Sequence, residues 1–322
     1  MIYLWTALGA LAAVVLLVLL TAYICFRMAF YAPRKKKNTS EEFELPPGEI
    51  YEPYRDTMVE WMKEARKLPH EEMTVTSFDG LKLFGKYYEY SKGAPIELML
   101  HGYRGNAERD LCGGIQRCFS LGRNALLVDL RSSCKSDGRV ISFGINESRD
   151  CLTWIDFMID RFGKDVQIIL TGISMGAATV MITAGKKLPE NVRFVLADCG
   201  YTSAREIIKK TIREMKLPAA PLFPFVKLGA KIFGRFDLEE TSPVEAMKKC
   251  TIPVIFFHGE ADDFVPCEMS RINFEACTAE KSLVTFKGAG HGLSYLADPE
   301  AYLEALADFS NKVGVETSVI KK

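Results

Sequence analysis

Histidine is scarce in this chain of 322 residues, with four in all, and the nine cysteines are scattered, with no Cys-x-x-Cys pair and no cluster of the two residue types. Neither a zinc site nor a disulfide framework is supported by that pattern, and an odd number of unpatterned cysteines suits a reducing compartment. Gly-rich phosphate loops of the Walker or dinucleotide type are missing, as are internal repeats, so nothing points to nucleotide chemistry. No cofactor or metal is expected. Charge is missing altogether before Arg27, and the charges ahead of Glu41 are five cations, Arg27, Arg34, Lys35, Lys36 and Lys37. Because the whole chain is formally neutral, residues 41–322 carry −5, and a mildly acidic domain argues against nucleic acid as a partner.

The uncharged start is also strongly apolar. Leu4 to Phe26 is long enough to cross a hydrocarbon core of roughly 30 Å at about 1.5 Å per residue. A cleavable signal peptide is the rival, but there is no charged n-region, the apolar stretch is long, and no convincing small-x-small cleavage site precedes Arg27. Residues 1–30 are therefore expected to form a single-pass transmembrane anchor in the cell membrane. With positive charge confined to its C-terminal flank, the positive-inside rule expects the rest of the chain in the cytoplasm. Lys35 to Lys37 have two equal readings, contact with anionic headgroups or a solvated flank.

What the chain does contain is Val166-Gln-Ile-Ile-Leu-Thr-Gly172-Ile173-Ser174-Met175-Gly176, a serine between two glycines where an apolar run of parallel-strand type, Val166 to Leu170, meets a helix expected over Ala177 to Lys187. That is a nucleophile elbow: a Cβ at Gly172 or Gly176 would collide with backbone, and Ser174 is forced into a strained conformation with its hydroxyl exposed. A lone serine is a poor nucleophile and needs a base, a carboxylate to orient the base and donors for an oxyanion. Pro253 to Gly259 reads as a buried strand leading to Glu260, Asp262 and Asp263, and Lys281 to Phe286 as a strand leading to His291 on a glycine-flanked loop. In an open parallel sheet such loops converge at the carboxyl ends of the strands.

The stretches His101-Gly102-Tyr103, Gly172-Ile-Ser174-Met-Gly176, His258-Gly-Glu-Ala-Asp262-Asp-Phe-Val265-Pro266 and Ala289-Gly-His291-Gly292 resemble the α/β-hydrolase superfamily, in its bacterial serine aminopeptidase-like and esterase-like branch with an N-terminal membrane anchor. The resemblance covers about residues 70 to 312. It implies Ser174 as nucleophile, Asp262 as orienting acid, His291 as general base, and an oxyanion hole from the backbone N–H groups of Tyr103 and Met175. Where many relatives carry a histidine after Asp-x-Arg, this chain has Asp129-Leu-Arg131-Ser132-Ser133-Cys134, which bears on the pocket and not on the reaction type. Cys134 is read as a small packed side chain.

The fold expected is α/β: a mostly parallel central sheet flanked by helices, with a helical lid insertion and the N-terminal transmembrane helix. Residues 31–53 are expected as a basic flank and extended linker, 54–312 as the hydrolase domain, and 313–322 as a tail. An amphipathic helix over Tyr54 to Lys67 is expected to cap the sheet. A hairpin is expected around Phe78-Asp79-Gly80, and one helix from about Ala107 to Leu121. The lid, about 201–245, is rich in apolar residues, with Pro218, Pro221 and Pro224 breaking it into short helices. His101, His258 and Asp198 are read as structural. The function expected is a serine hydrolase acting on a small-molecule carboxylic ester or related acyl bond, the acyl part apolar. Peptidase or thioesterase chemistry and a non-catalytic scaffold are the alternatives.

Overall fold

The computed structural model describes residues 1–33, 43–317 and 319; the basic run Lys35 to Lys37 lies outside the described residues. The chain opens with α1 (Ile2–Ala29), 28 residues with an 18-residue stretch of mean hydropathy 2.6, long and apolar enough to cross a bilayer. A 3-10 turn, Glu49–Tyr54, leads into α2 (Arg55–Lys67), whose Met58, Met62 and Ala65 are buried at helical spacing. The hairpin follows: β1 (Glu71–Thr76) and β2 (Lys82–Tyr88) pair antiparallel across the Asp79-Gly80 turn, where Gly80 takes φ +86°.

From β3 (Ile96–Leu100) onward strands and helices alternate: α3 (Ala107–Asp110), α4 (Cys112–Ser120), β4 (Asn124–Asp129), α5 (Ile145–Phe162), β5 (Ile168–Ile173), α6 (Met175–Ala184) and β6 (Val192–Asp198). The lid holds α7 (Ala204–Glu214), α8 (Ala219–Gly229), a π turn over Ala230–Gly234 and α9 (Pro243–Met247). The chain closes with β7 (Val254–Gly259), α10 (Cys267–Ala276), β8 (Lys281–Phe286), α11 (Ser294–Ala297) and α12 (Pro299–Lys312). Among the described residues eight strands form one sheet, in the order β1-β2-β4-β3-β5-β6-β7-β8. Every pairing from β4 to β8 is parallel. Strand order reverses between β3 and β5, and ligands of such sheets bind at that switch point.

Five expectations need correction. The helix expected over Ala107 to Leu121 is two helices, because Leu111 leaves helical geometry (φ −114°, ψ 15°). The second half carries Gly113, where a Cβ would lie 2.6 Å from the Trp61 ring, so this region is shaped to receive α2. Of the three lid prolines Pro218 alone stands between helices, as the residue before α8; Pro221 falls in the first turn of α8, where N–H groups have no intrahelical partner anyway, and Pro224 is carried inside α8. Residues 313–317 are no free tail, since Val315 is buried and Thr317 accepts a hydrogen bond from Arg123 at 3.2 Å. Cys134 is exposed rather than packed.

The last correction matters most for the site. Residues 43–54 do not run as an extended linker, and α1 does not stop at a domain boundary. Ala22, Phe26 and Phe30 are buried against the lid and the body. Phe30 meets Phe236 and Phe143 edge-on at 5.2 and 5.7 Å, and Tyr31 bridges Val140. Gly229 of α8 packs so closely on α1 that a Cβ there would lie 2.4 Å from the Ala22 carbonyl.

Candidate active site

Buried β5 delivers Ser174 to the carboxyl edge of the sheet, and α6 begins at the next residue. Ser174 takes φ +57° and ψ −117°, a conformation an L residue holds only when its surroundings enforce it. Two glycines enforce it here. A Cβ on Gly172 would lie 2.2 Å from the Gly176 carbonyl group, and one on Gly176 would lie 2.0 Å from the Leu100 oxygen. The turn is also tied to the neighbouring strand, because the Ser174 N–H donates to the Asp198 carbonyl at 2.8 Å.

The loops after β7 and β8 bring the other two side chains. His291 Nε2 lies 2.9 Å from Ser174 Oγ, and His291 Nδ1 lies 2.7 Å from Asp262 Oδ2. With Nδ1–H donating to the carboxylate, Nε2 is left to accept from the serine hydroxyl. Asp262, not its neighbour Asp263, faces the imidazole; Asp263 is exposed, and its carbonyl accepts from Lys210 Nζ at 2.6 Å. The second oxygen of Asp262 accepts from the Phe264 and Val265 amides at 3.0 and 2.8 Å. Burial pushes this carboxyl up, but hydrogen bonds from His258 and His291, the charge of His291 and the Val265 amide outweigh it and bring it down to about 2. Asp262 is thus ionised at neutral pH. Gly259 lets the two loops cross, since a Cβ there would lie 2.2 Å from the Ala289 oxygen.

The loop after β3 passes beside the serine: a Cβ on Gly102 would meet Ser174 Cβ at 3.5 Å. Tyr103 follows on that loop, and Met175, as the first residue of α6, has an N–H with no intrahelical acceptor. The remaining candidates are structural. His101 donates from Nδ1 to the Gly102 carbonyl at 2.8 Å and accepts the Leu130 N–H on Nε2 at 3.0 Å. His258 spans Ser270 Oγ at 2.6 Å and the Val265 carbonyl at 2.8 Å. Asp198 accepts from Ser294 and Tyr302, and burial raises its pKa. In the Ser132-Ser133-Cys134 loop, Ser133 Oγ donates to the Gly105 carbonyl at 2.7 Å. That bond ties this loop to the one after β3.

Cys199, Asp262 and His291 are grouped closely enough to suggest a metal site, their ligand atoms lying within 4.8 Å of one another. The donor chemistry fits poorly. Burial raises the Cys199 thiol well above its usual range, so it is protonated, while Asp262 and His291 already engage each other.

Two cavities meet at Ser174, with Tyr103, Ser174 and Phe264 lining both. The larger, about 720 Å³, is roofed by Pro46 to Tyr51, and the smaller, about 280 Å³, lies under the lid. Tyr51 donates from its hydroxyl to the His291 carbonyl at 3.0 Å, and the Phe264 ring packs edge-on with the His291 ring, their centroids 5.1 Å apart. Sequence reasoning passed over Tyr51 because no motif marks it; an aromatic residue in a Pro- and Gly-containing segment was the only signal. It also passed over Cys25, Met28 and Ala29, whose place in the small cavity follows from tertiary packing alone.

The chain resembles YqkD of Bacillus subtilis, 28% identical over 200 residues, which are 62% of this chain and 66% of YqkD. It thus spans a little under two thirds of that relative's length. It also resembles bem46 of Schizosaccharomyces pombe, 26% identical over 234 residues and 71% of each protein. An esterase of Pyrococcus furiosus shares the fold, with a TM-score of 0.64, 19% identity and coverage of 88% of this chain and 98% of its own. A match to the prolyl oligopeptidase family runs from residue 142 to 314, more than half the chain, and takes in Ser174, Asp262 and His291. An α/β-hydrolase fold with a match of that extent identifies the chain as a member of the prolyl oligopeptidase family.

Proposed function

We infer that this protein is a membrane-anchored serine hydrolase that cleaves a carboxylic ester or related acyl bond through an acyl-enzyme. The observation that carries the reading is the unbroken hydrogen-bonded run from Ser174 Oγ through His291 to Asp262, with the serine on a strained elbow. Ser174 Oγ attacks the carbonyl carbon while its proton passes to His291 Nε2. The tetrahedral oxyanion rests on the Tyr103 and Met175 amides. Collapse breaks the bond to the leaving group, which takes the proton from His291, and a water molecule then repeats the sequence to release the acid. Asp262, held as a carboxylate, keeps the imidazole in the tautomer this requires.

Family membership keeps a peptidase reading in view, since the same machinery cleaves amides. Ester cleavage is favoured by the smaller cavity beside Ser174, which suits an apolar acyl group. Anchoring rests on α1, and its buried Ala22 and Phe26 argue against removal of the segment as a signal, because cleavage near Arg27 would strip these contacts from the folded body. The basic C-terminal flank favours a catalytic domain in the cytoplasm.

The full chain in detergent is expected to label with a fluorophosphonate probe and to hydrolyse a short-chain aryl ester. Labelling that persists in Ser174→Ala would remove the serine from its assigned role. Protease added to intact cells is expected to leave the domain whole, and its digestion would reverse the topology.

A further inference from the structure

The smaller cavity is built from two parts of the chain that a sequence reading keeps apart. Cys25, Met28 and Ala29 from the end of α1 form one wall, and Ile208, Ile212 and Leu222 from α7 and α8 another. Among the described residues no charged side chain lines it. Its lining hydroxyls, apart from that of Ser174, are already engaged: Tyr103 donates to the Ala29 carbonyl at 2.7 Å, Tyr201 to Phe143 at 3.0 Å and Thr211 to Ile207 at 3.0 Å. A polar guest gains nothing there, whereas an apolar chain loses only water. At about 280 Å³ the space is near the lower end of small-molecule pockets, which run from roughly 300 Å³ upward.

Helix length explains how a membrane segment comes to serve as a pocket wall. At about 1.5 Å per residue, α1 spans roughly 42 Å, more than a hydrocarbon core of about 30 Å requires. Its last two turns are therefore free to dock, and they do. Arg104 clamps the helix end by donating to the Met28 and Tyr31 carbonyls at 2.7 and 3.2 Å. Beside this seam the lid exposes Met215 and Leu217, at 48% and 44%, while Met28 of the helix is 53% exposed. Arg213 and Lys216 flank those lid residues, Lys231 and Arg235 flank the exposed Ile232, and none of the four cations has an acidic partner among the described residues. Apolar tips ringed by unpaired cations suit an anionic lipid surface.

We propose that the cavity is an acyl-chain site built jointly by the membrane helix and the lid, and that it receives the single chain of a membrane-borne lipid ester whose carbonyl then lies at Ser174. This rests on the reading of Ser174 as a nucleophile and of α1 as an anchor. It adds that the anchor is part of the substrate site, so removing it alters selectivity and not location alone.

The test uses the full chain in nanodiscs of phosphatidylcholine and phosphatidylglycerol, with Met28→Trp and Met215→Trp as variants that fill the cavity from opposite walls. Both positions are half exposed, so neither change overpacks a closed core. The ratio of kcat/KM for p-nitrophenyl decanoate to that for the acetate is expected to fall by about tenfold or more in each variant. An unchanged ratio, or an equal fall on both esters, overturns the acyl site. For the source of the chain, 1-monooleoylglycerol in the nanodisc is expected to be cleaved, and more slowly in Lys216→Glu. If decanoate is cleaved but monooleoylglycerol in the bilayer is not, the membrane route falls. Binding of parinaric acid to Ser174→Ala separates the two readings. Should the wild type cleave no ester while parinaric acid binds Ser174→Ala and is lost on adding Met28→Trp, the acyl site stands and the hydrolase reading fails. Should esters be cleaved and parinaric acid not bind, the acyl site alone fails.

Discussion

The floor of this site and its roof are held together in different ways. On the floor, each of Ser174, Asp262 and His291 sits on a loop that leaves the carboxyl end of a parallel strand, and nearby backbone fixes it: the two glycines beside Ser174, the Phe264 and Val265 amides under Asp262, the glycines around His291. The roof is assembled from distant parts, with Tyr51 reaching His291 across 240 positions and Ala29 meeting Tyr103 across 74. Chemistry of this kind is encoded in short local patterns because its geometry depends on a few backbone turns. The shape that selects a substrate is encoded in tertiary packing, which no short window contains.

The sharpest way to break that comparison is on the floor, at two adjacent aspartates. Asp262→Asn keeps the volume but favours the wrong imidazole tautomer, and losses of about 10⁴ in turnover are typical of that change. Asp263→Asn touches an exposed side chain and is expected to keep most of the activity. Steady-state kinetics on both variants, with circular dichroism to verify folding, measures the contrast. A severe loss in Asp263→Asn with Asp262→Asn spared would mean that the acid loop takes a different arrangement in the working enzyme.

This division also explains what could be read from the residues alone. The hairpin and the alternation of strands and helices follow from periodicity and turn chemistry, and the meeting of Ser174, Asp262 and His291 is what the resemblance of their motifs implied. Bulk packing produced the departures. Leu111 breaks a helix that its propensity would continue, because Gly113 and the Trp61 ring need close approach. Pro221 and Pro224 failed as breakers because their positions in α8 cost few hydrogen bonds. The docking of α1 and of residues 43–54 was hidden for a different reason. An apolar run looks the same whether lipid or protein covers it, and an aromatic residue in a loop carries no sign of its partner.

The roof predicts a stability effect where the floor predicts a catalytic one. Phe30 is fully buried among Phe26, Phe143 and Phe236, and truncating such a side chain costs about 3–5 kcal/mol. Phe30→Ala in the detergent-solubilised full chain is therefore expected to lower the thermal midpoint and expose the 30–33 segment to protease. Leu11→Ala, on the exposed stretch of α1, is expected to shift the midpoint little, in line with changes of about 0.5 kcal/mol or less at surface positions. Equal midpoints for the two variants would show that α1 is a tether, with no share in the folded body.

The smallest effect falls at the hydrogen bond that ties Tyr51 of the roof to the His291 loop of the floor. Tyr51→Phe keeps the ring that is buried beside Met58 and Leu293, so the wall of the larger cavity stays in place, and only the hydroxyl that donates to the His291 carbonyl is lost. A neutral hydrogen bond of this kind contributes about 1 kcal/mol net. The His291 imidazole keeps its bonds to Asp262 and Ser174, so its tautomer and its alignment are untouched. Turnover is expected to fall by less than about tenfold, the equivalent of 1.4 kcal/mol, with a similarly small drop in unfolding free energy from urea titration. A loss in Tyr51→Phe as large as that in Asp262→Asn would place residues 43–54 within the catalytic apparatus itself, and the separation of a locally encoded floor from a remotely assembled roof would no longer describe this protein.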